Sequence, residues 1–209
     1  MKTSYFLIIL AVIHSSTHSM AATLLLDDFS GVGFSLSSGG TTSSSGSFVT
    51  ALTDQRTVSG VGFPNWTVTL LPEELRFNVD QVNPSPGRTY LNLNYSSSSG
   101  TFSLLGYNAF AFDITNVVGM GELVAFVDGA PSADVRLAIS GSGTYVSPFS
   151  GLDTSQSLSS LTQMNFRFFA ISEDFALTID NVRIVPEPSS SLLLLLGGAA
   201  TSMHRRRRK

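Results

Sequence analysis

The chain has 209 residues, of which 43% are hydrophobic and 13% charged, and it contains no cysteine. A charged fraction well below the usual quarter is more typical of an exported or surface-bound protein than of a cytosolic enzyme. Without disulfides, stability must come from a hydrophobic core. A middle part of about 165 residues is long enough to bury about 70% of its unfolded surface.

The charged residues are distributed unevenly along the chain. Fifteen acidic residues and six arginines lie between Asp27 and Glu187, which gives this middle part a net charge of −9. The other six basic residues are at the two ends. An acidic, lysine-free stretch repels phosphate backbones, so nucleic acid is not expected as a partner. Cations, or neutral partners such as glycans, suit this charge better.

The first 21 residues predict a secretory signal peptide. Lys2 supplies the positive charge, the segment YFLIILAVI from Tyr5 to Ile13 the apolar core, and Ser19-Met20-Ala21 a small-x-small cleavage site. Signal peptidase is then expected to release a chain that begins at Ala22. The alternative is a buried N-terminal strand or helix, which the short length of the run and the polar HSSTHS after it disfavour.

Between Ala22 and Val185 the sequence predicts an all-β domain, because short runs rich in Val, Ile, Phe and Thr alternate with Gly, Ser, Asn and Pro clusters. In TYLNLNY, Tyr90 and the two asparagines face one way, and the leucines and Tyr95 the other. The candidate strands are FVTAL (48–52), RTVSGVGF (56–63), WTVTLL (66–71), LRFNVD (75–80), TYLNLNY (89–95), TFSLL (101–105), AFAFDI (109–114), ELVAFV (122–127), VRLAIS (135–140), MNFRFFAI (164–171) and FALTIDNVRIV (175–185).

Strands at this spacing, without helices to connect parallel neighbours, indicate two packed antiparallel sheets in a β-sandwich or jelly roll. The serine-glycine stretches Ser35 to Ser47 and Ser96 to Gly100 are predicted to be loops, or alternatively flexible linkers. The domain is therefore expected to span residues 22–185.

The last 24 residues, 186–209, contain an apolar segment and a basic tail after a proline-rich start. The segment from Leu192 to Met203 has only 12 residues. Even a helix from Ser189 to Met203 would reach about 22 Å, which is less than the ~30 Å hydrocarbon core of a bilayer. The arginines would stay on the cytoplasmic side. This pattern predicts transient retention at the inner membrane with the β-domain outside.

VPEP, the apolar segment and RRRR, in this order, resemble the C-terminal sorting signal of the PEP-CTERM proteins of Gram-negative bacteria. The resemblance implies processing by an exosortase after export, and release to, or attachment at, the cell surface or the extracellular matrix, often in species that make exopolysaccharide and biofilm. The short apolar part departs from the family pattern. The sorting and processing residues that the resemblance implies are Val185, Pro186, Glu187, Pro188, Arg205, Arg206, Arg207 and Arg208.

No catalytic residue is predicted in the domain. All three histidines and both lysines lie in the terminal segments that processing is expected to remove. Their removal excludes Ser-His-Asp and Cys-His triads, lysine Schiff bases and the usual zinc sites. A carboxylate-dependent glycosidase or polysaccharide lyase stays the alternative, since glycoside hydrolysis needs only two acids about 5 to 9.5 Å apart. Its candidate acids are Glu73, Glu74, Glu122 and Glu173.

LLLDDFS (24–30) opens the domain and LTIDNVRIV (177–185) closes it. The pair resembles the first and last strands of jelly-roll carbohydrate-binding modules, several of which hold a structural calcium ion. By that resemblance, Asp27 or Asp28 and Asp180 share a calcium site of oxygen ligands. The alternative is that Asp27 and Asp28 form a solvated strand end and that Asp180 bonds a turn amide.

Trp66, in FPNWTVT, and Tyr90 and Tyr95, in a polar strand, are the candidate stacking platforms for a glycan. The alternative for Trp66 is a half-buried core position. The phenylalanines expected in the core or at its edges are Phe110, Phe112, Phe126, Phe166, Phe168 and Phe169.

The sequence as a whole predicts an exported, non-enzymatic β-sandwich protein that binds glycan or acts structurally at the cell surface or in an exopolysaccharide matrix. The alternatives are a carboxylate-dependent surface enzyme and a passive matrix protein without a ligand.

Overall fold

The computed structural model describes residues 22–31, 33–37, 41–45, 52–62, 66–80, 89–128, 130–131, 136–149 and 158–186. Within these ranges there are fourteen β-strands and no α-helix, which confirms the predicted all-β class. The predicted signal peptide and the chain from Glu187 onward, on which the predicted apolar sorting helix falls, lie outside the described residues.

The strands are β1 (Leu24–Asp27), β2 (Phe34–Ser37), β3 (Thr41–Ser45), β4 (Gln55–Val61), β5 (Trp66–Leu71), β6 (Glu74–Asp80), β7 (Tyr90–Ser96), β8 (Tyr107–Val118), β9 (Gly121–Val127), β10 (Ala130–Pro131), β11 (Leu137–Ile139), β12 (Gly143–Pro148), β13 (Gln163–Ala170) and β14 (Asp174–Pro186).

The described strands form two antiparallel sheets of seven strands each. Sheet A has the order β12-β8-β14-β6-β5-β2, with β1 added beside β14, and sheet B has the order β10-β9-β13-β7-β4-β3, with β11 added beside β9. Consecutive strands repeatedly change sheet, as β8 and β9 do and again β13 and β14. This wrapping of antiparallel arms is the jelly-roll form of a β-sandwich.

The core lies between the sheets because alternate residues of each strand point inward. In β7 and β13 the alternation is complete, with every second side chain buried. Phe110 and Phe112 of sheet A interdigitate with Phe166 and Phe168 of sheet B, for example with ring centroids 4.8 Å apart between Phe110 and Phe166. Edge-to-face packing of this kind adds to the gain from burying the rings.

Trp66 lies in the interior and is only 1% exposed. Its ring packs across the core against Gly60 of β4, where a Cβ atom would overlap the indole. Gly60 is therefore required for close approach of the two sheets at this point. The predicted half-buried or exposed tryptophan is in fact a fully buried one.

Three local predictions were wrong. The stretch from Ser35 to Ser47, predicted as a loop, contains the end of β2 and all of β3, which pair with β5 and β4. Strand β12 was missed, and TFSLL forms only a single bridge between Phe102 and Leu161. Backbone pairing with a neighbouring strand decided these segments, because edge strands need little apolar content of their own.

Candidate functional site

The outward-facing side chains of β4, β7, β13 and β9 form one continuous polar and aromatic surface. Backbone alternation puts them there, since their neighbours along each strand point into the core. The side chains at its centre are half-buried. We call this surface the sheet B face, and its central residues are Tyr90, Asn92, Asn94, Phe126, Asn165, Arg167 and Phe169.

Arg167 lies at the centre of the sheet B face between two aromatic rings. Its guanidinium carbon is 4.4 Å from the ring centroid of Phe126 and 5.5 Å from that of Tyr90. Tyr90 in turn packs against its cross-strand partner Phe169, with ring centroids 5.0 Å apart. The rings restrict the orientation of the guanidinium by cation–π contact and leave it at the surface.

Three polar atoms on the sheet B face are inaccessible to water and have no hydrogen-bond partner among the described residues. They are Oδ1 of Asn94, Oδ1 of Asn165 and Nε of Arg167. Asn94 and Asn165 are directly opposite each other on β7 and β13. An unsatisfied buried polar atom costs about 1–3 kcal/mol. Atoms of this kind also occur away from the sheet B face, for example Nε1 of Trp66 and Oδ1 of Asn108.

The charges near Arg167 are already neutralised. Glu122, one row further along β9, is bonded by Arg136 with a distance of 2.9 Å between Nη1 and Oε2. Arg136 also lies over the ring of Phe169, 5.9 Å from its centroid. For Arg167 itself, no ion pair is found within the described part of the chain. It is thus a single uncompensated positive charge on a face of amides, hydroxyls and rings.

Sequence reasoning missed Arg167, Asn165 and the outward position of Phe169, although the signal was present. In MNFRFFA these three residues alternate with the buried ones, so they lie together on the outer face of the strand. Phe126 and Phe169, predicted in the core or at its edges, belong to the outer surface. Tyr90 is on the sheet B face, as its strand pattern predicted.

A second charged cluster lies inside the sandwich, and it links the sheets. Nη1 of Arg56 in β4 is 2.8 Å from both carboxylate oxygens of Asp27 in β1. The hydroxyl of Tyr95 in β7 donates to Asp27 Oδ2 at 2.7 Å, and the backbone N–H of Phe29 donates to Oδ1 at 2.7 Å. Asp27 and Tyr95 are fully buried and Arg56 is 1% exposed. We call Asp27, Arg56 and Tyr95 the inter-sheet cluster.

Burial dominates the proton affinities in the inter-sheet cluster. It raises the pKa of the Asp27 carboxyl above its usual range, while Arg56, Tyr95 and the Phe29 N–H oppose this by stabilising the carboxylate. Burial, together with the neighbouring Asp27 carboxylate, raises the pKa of Tyr95 well above its ordinary value of 10.0. The tyrosine therefore stays a neutral hydrogen-bond donor over the physiological range.

The predicted role as a glycan platform is wrong for two of the three aromatic residues, Trp66 and Tyr95. Trp66 is 1% exposed and Tyr95 is fully buried, so neither presents a ring to a sugar. Trp66 is buried because its position in β5 points into the core and because Gly60, which has no side chain, leaves space for the indole. Tyr95 is buried because its position in β7 points into the core, as the strand pattern predicted, and because its hydroxyl bonds the buried carboxylate of Asp27.

Each of the predicted calcium ligands already has a hydrogen-bond partner in the structure. Asp27 is engaged by Arg56, whose positive charge opposes a cation at the same oxygens. Asp28 accepts from the Ser30 N–H at 2.9 Å, and Asp180 accepts from the Asn181 amide at 2.8 Å. Among the described residues, no group of three or more His, Cys, Asp or Glu side chains lies close enough to hold a metal ion. Calcium binding at Asp28 and Asp180 stays a prediction, and equal melting temperatures in calcium and in chelator would rule it out.

The acids proposed for the enzymatic alternative lie on three parts of the described structure, with Glu73 and Glu74 adjacent in the chain. Glu74 pairs with Arg76 on sheet A, and Glu73 occupies the β5–β6 turn with φ of 67°. Glu122 pairs with Arg136 at the edge of the sheet B face, and Glu173 lies in the β13–β14 turn. No hydrogen bond or ion pair connects any two of these acids within the described residues.

Residues 185–209 match the model of the PEP-CTERM protein-sorting motif. The chain carries a PEP-CTERM sorting motif. The first two residues of the motif, Val185 and Pro186, are also the last two of β14 and pair with β8. The motif implies export of the protein. Within the described residues no helix is long and apolar enough to cross a membrane, and the segment from Leu192 to Met203 lies outside them.

No curated protein matches the chain. Among solved structures, the family 11 carbohydrate-binding module of a cellulosomal cellulase of Clostridium thermocellum is 16% identical, covers 80% of this chain and 96% of its own, and has a TM-score of 0.42. A carbohydrate-binding module of family 28, specific for non-crystalline cellulose, is 16% identical over 63% of this chain and 81% of its own, with a TM-score of 0.40. An exo-β-agarase is 15% identical over 79% of this chain and 25% of its own, with a TM-score of 0.41. At these values none of the three indicates what this chain binds.

Proposed function

We propose that this chain is an exported, non-enzymatic β-sandwich protein that binds extracellular polysaccharide through the sheet B face. The observation that carries the proposal is the row of half-buried amide side chains, Asn92, Asn94 and Asn165, beside the rings of Tyr90, Phe126 and Phe169. Sugars offer hydroxyls that can bond amide side chains and apolar ring faces that can pack on aromatic ones. Ligand-binding surfaces typically combine a few convergent polar groups with aromatic rings in this way.

The position of these side chains on a hydrogen-bonded sheet supports a binding role for the face. A rigid sheet holds these side chains in fixed relative positions, so that little side-chain entropy is lost when a ligand binds. On the outer side of sheet A, Asp113 accepts hydrogen bonds from both Arg183 and Thr144, at 2.6 and 2.7 Å.

The test is glycan binding by the full chain and by two matched double variants. We expect Asn94→Ala with Asn165→Ala to weaken binding to the polysaccharides that the unchanged protein retains in affinity electrophoresis. Asn78→Ala with Asn116→Ala removes the same two side chains from exposed positions on sheet A and should leave binding unchanged. Equal binding by both variants would contradict the proposed face, and hydrolysis or elimination products would favour the enzymatic alternative.

The sorting part of the proposal is processing by an exosortase near VPEP, after transient retention at the inner membrane, with delivery to the cell surface or the exopolysaccharide matrix. The motif at residues 185–209 supports it. Mass spectrometry of the termini of the extracellular protein tests it. We expect a chain that begins near Ala22 and lacks the arginine tail, whereas an intact HRRRRK end outside the cell would contradict the proposal.

A further inference from the structure

We infer that the sheet B face selects a glycan that carries carboxylate groups, and that Arg167 binds the carboxylate. This inference rests on the proposed function, because it names the class of glycan that the same face takes. It begins from the one charge at the centre of the face. Every other described arginine has a carboxylate within ion-pair distance, and Arg167 has none within the described residues.

The surroundings of Arg167 prepare it for a planar anion. Phe126 and Tyr90 contact the guanidinium on the sheet, at 4.4 and 5.5 Å from ring centroid to guanidinium carbon. Its Nε is buried and has no partner among the described residues, while the side chain as a whole is half-buried, so part of it is accessible at the surface. A guanidinium fixed in this way matches the two oxygens of a carboxylate better than a single hydroxyl.

The neighbouring groups complete a site for a uronic-acid sugar. Asn94 and Asn165 are one row away on β7 and β13, and Asn92 is directly opposite Arg167, so that amide side chains lie beside the guanidinium. Glu122 is the nearest carboxylate of the protein along β9, but Arg136 holds it at 2.9 Å. An anionic ligand at Arg167 therefore meets no unpaired negative charge among the described residues of the face.

The charge of the whole domain opposes this ligand. The stretch from Asp27 to Glu187 carries −9, so the long-range field repels polyanions. Carboxylate recognition must then depend on the local contacts of Arg167, which makes it sensitive to a single substitution. A neutral face would instead prefer the uncharged form of the same polymer.

The experiment compares each of three polyuronates, namely polygalacturonate, alginate and hyaluronate, with its methyl ester, using the full chain. We expect one polyuronate to bind more tightly than its ester. Arg167→Gln should weaken that binding by roughly 10- to 100-fold, the range for a charge-assisted hydrogen bond. Arg167→Lys keeps the charge but not the planar fork and should give a smaller loss. Arg76→Gln, which removes an exposed arginine from sheet A, is the matched control and should have no effect.

The outcomes separate the inference from the proposed function. Equal or tighter binding of the esters, or binding that Arg167→Gln does not change, overturns carboxylate selection. If the Asn94 and Asn165 double variant still loses binding in that case, the glycan-binding face stands. No binding of any polyuronate, ester or neutral polysaccharide overturns both.

Discussion

Arg56 and Arg167 are both arginines beside aromatic rings on sheet B, and they have opposite surroundings. Arg56 points into the sandwich, where it lies 5.7 Å from the ring centroid of Phe29 and bonds the buried Asp27. Arg167 points outward, lies between two rings and has no carboxylate partner among the described residues. A buried guanidinium needs a carboxylate of the same protein to offset its desolvation, whereas a guanidinium at the surface can stay unpaired and bind the anion of a ligand.

The largest effect should come from removing the anion inside the sandwich. Asp27→Asn leaves Arg56 buried without its counter-charge, which is expected to lower the free energy of unfolding by about 3–5 kcal/mol. Asp28→Asn is the neighbouring control, since its half-exposed side chain can still accept from Ser30, and it should change stability by less than about 0.5 kcal/mol. Urea denaturation measures both, and equal values for the two variants would show that the inter-sheet cluster does not stabilise the fold.

A comparable effect is expected for the ring that was predicted to bind sugar. Trp66→Ala should cost about 3–5 kcal/mol because it empties a large volume between the sheets. Gly60→Ala should cost about 1–3 kcal/mol, since its Cβ overlaps the indole. Binding by the protein that remains folded should be unchanged in both. A Trp66→Ala variant that keeps its stability and loses only glycan binding would restore the platform role.

An intermediate effect concerns alkaline pH. Because the pKa of Tyr95 is raised in the folded state, its contribution to stability is complete below pH 10.0 and is lost above it, as the unfolded chain releases the proton first. The loss from this residue is up to about 1.4 kcal/mol per pH unit. Tyr95→Phe should lower stability at neutral pH by removing the hydrogen bond to Asp27, and should make the decline above pH 10 shallower. Denaturation curves at a series of pH values measure this, and an unchanged slope would contradict it.

The smallest effect on the free energy of unfolding is expected for a substitution of Arg167. Arg167→Gln removes only surface cation–π contacts and should change the free energy of unfolding by less than about 1 kcal/mol. Arg56→Gln leaves Asp27 buried and unpaired and should cost about 3–5 kcal/mol. Thermal and urea denaturation of the two variants would reveal the difference. If Arg167→Gln is as destabilising as Arg56→Gln, then Arg167 is a structural residue and not a binding one.

Much of this architecture could be predicted because a strand has a period of two. The alternation in TYLNLNY and MNFRFFA decided by itself which side chains enter the core, and the motif at residues 185–209 implies export. Edge strands such as β3 could not be predicted, since they depend on backbone pairing with a partner that is distant in the chain.

Which residues meet was decided by the tertiary structure alone. Asp27 is 29 residues from Arg56 and 68 from Tyr95 along the chain, and only the stacking of the two sheets makes them one cluster. The same stacking buries Trp66 above Gly60, and the neighbouring positions of β7, β9 and β13 surround Arg167 with rings. The sequence pattern of a strand shows which of its side chains point into the core. Sheet order and register determine which residues of other strands they meet, and order and register depend on contacts over the whole chain.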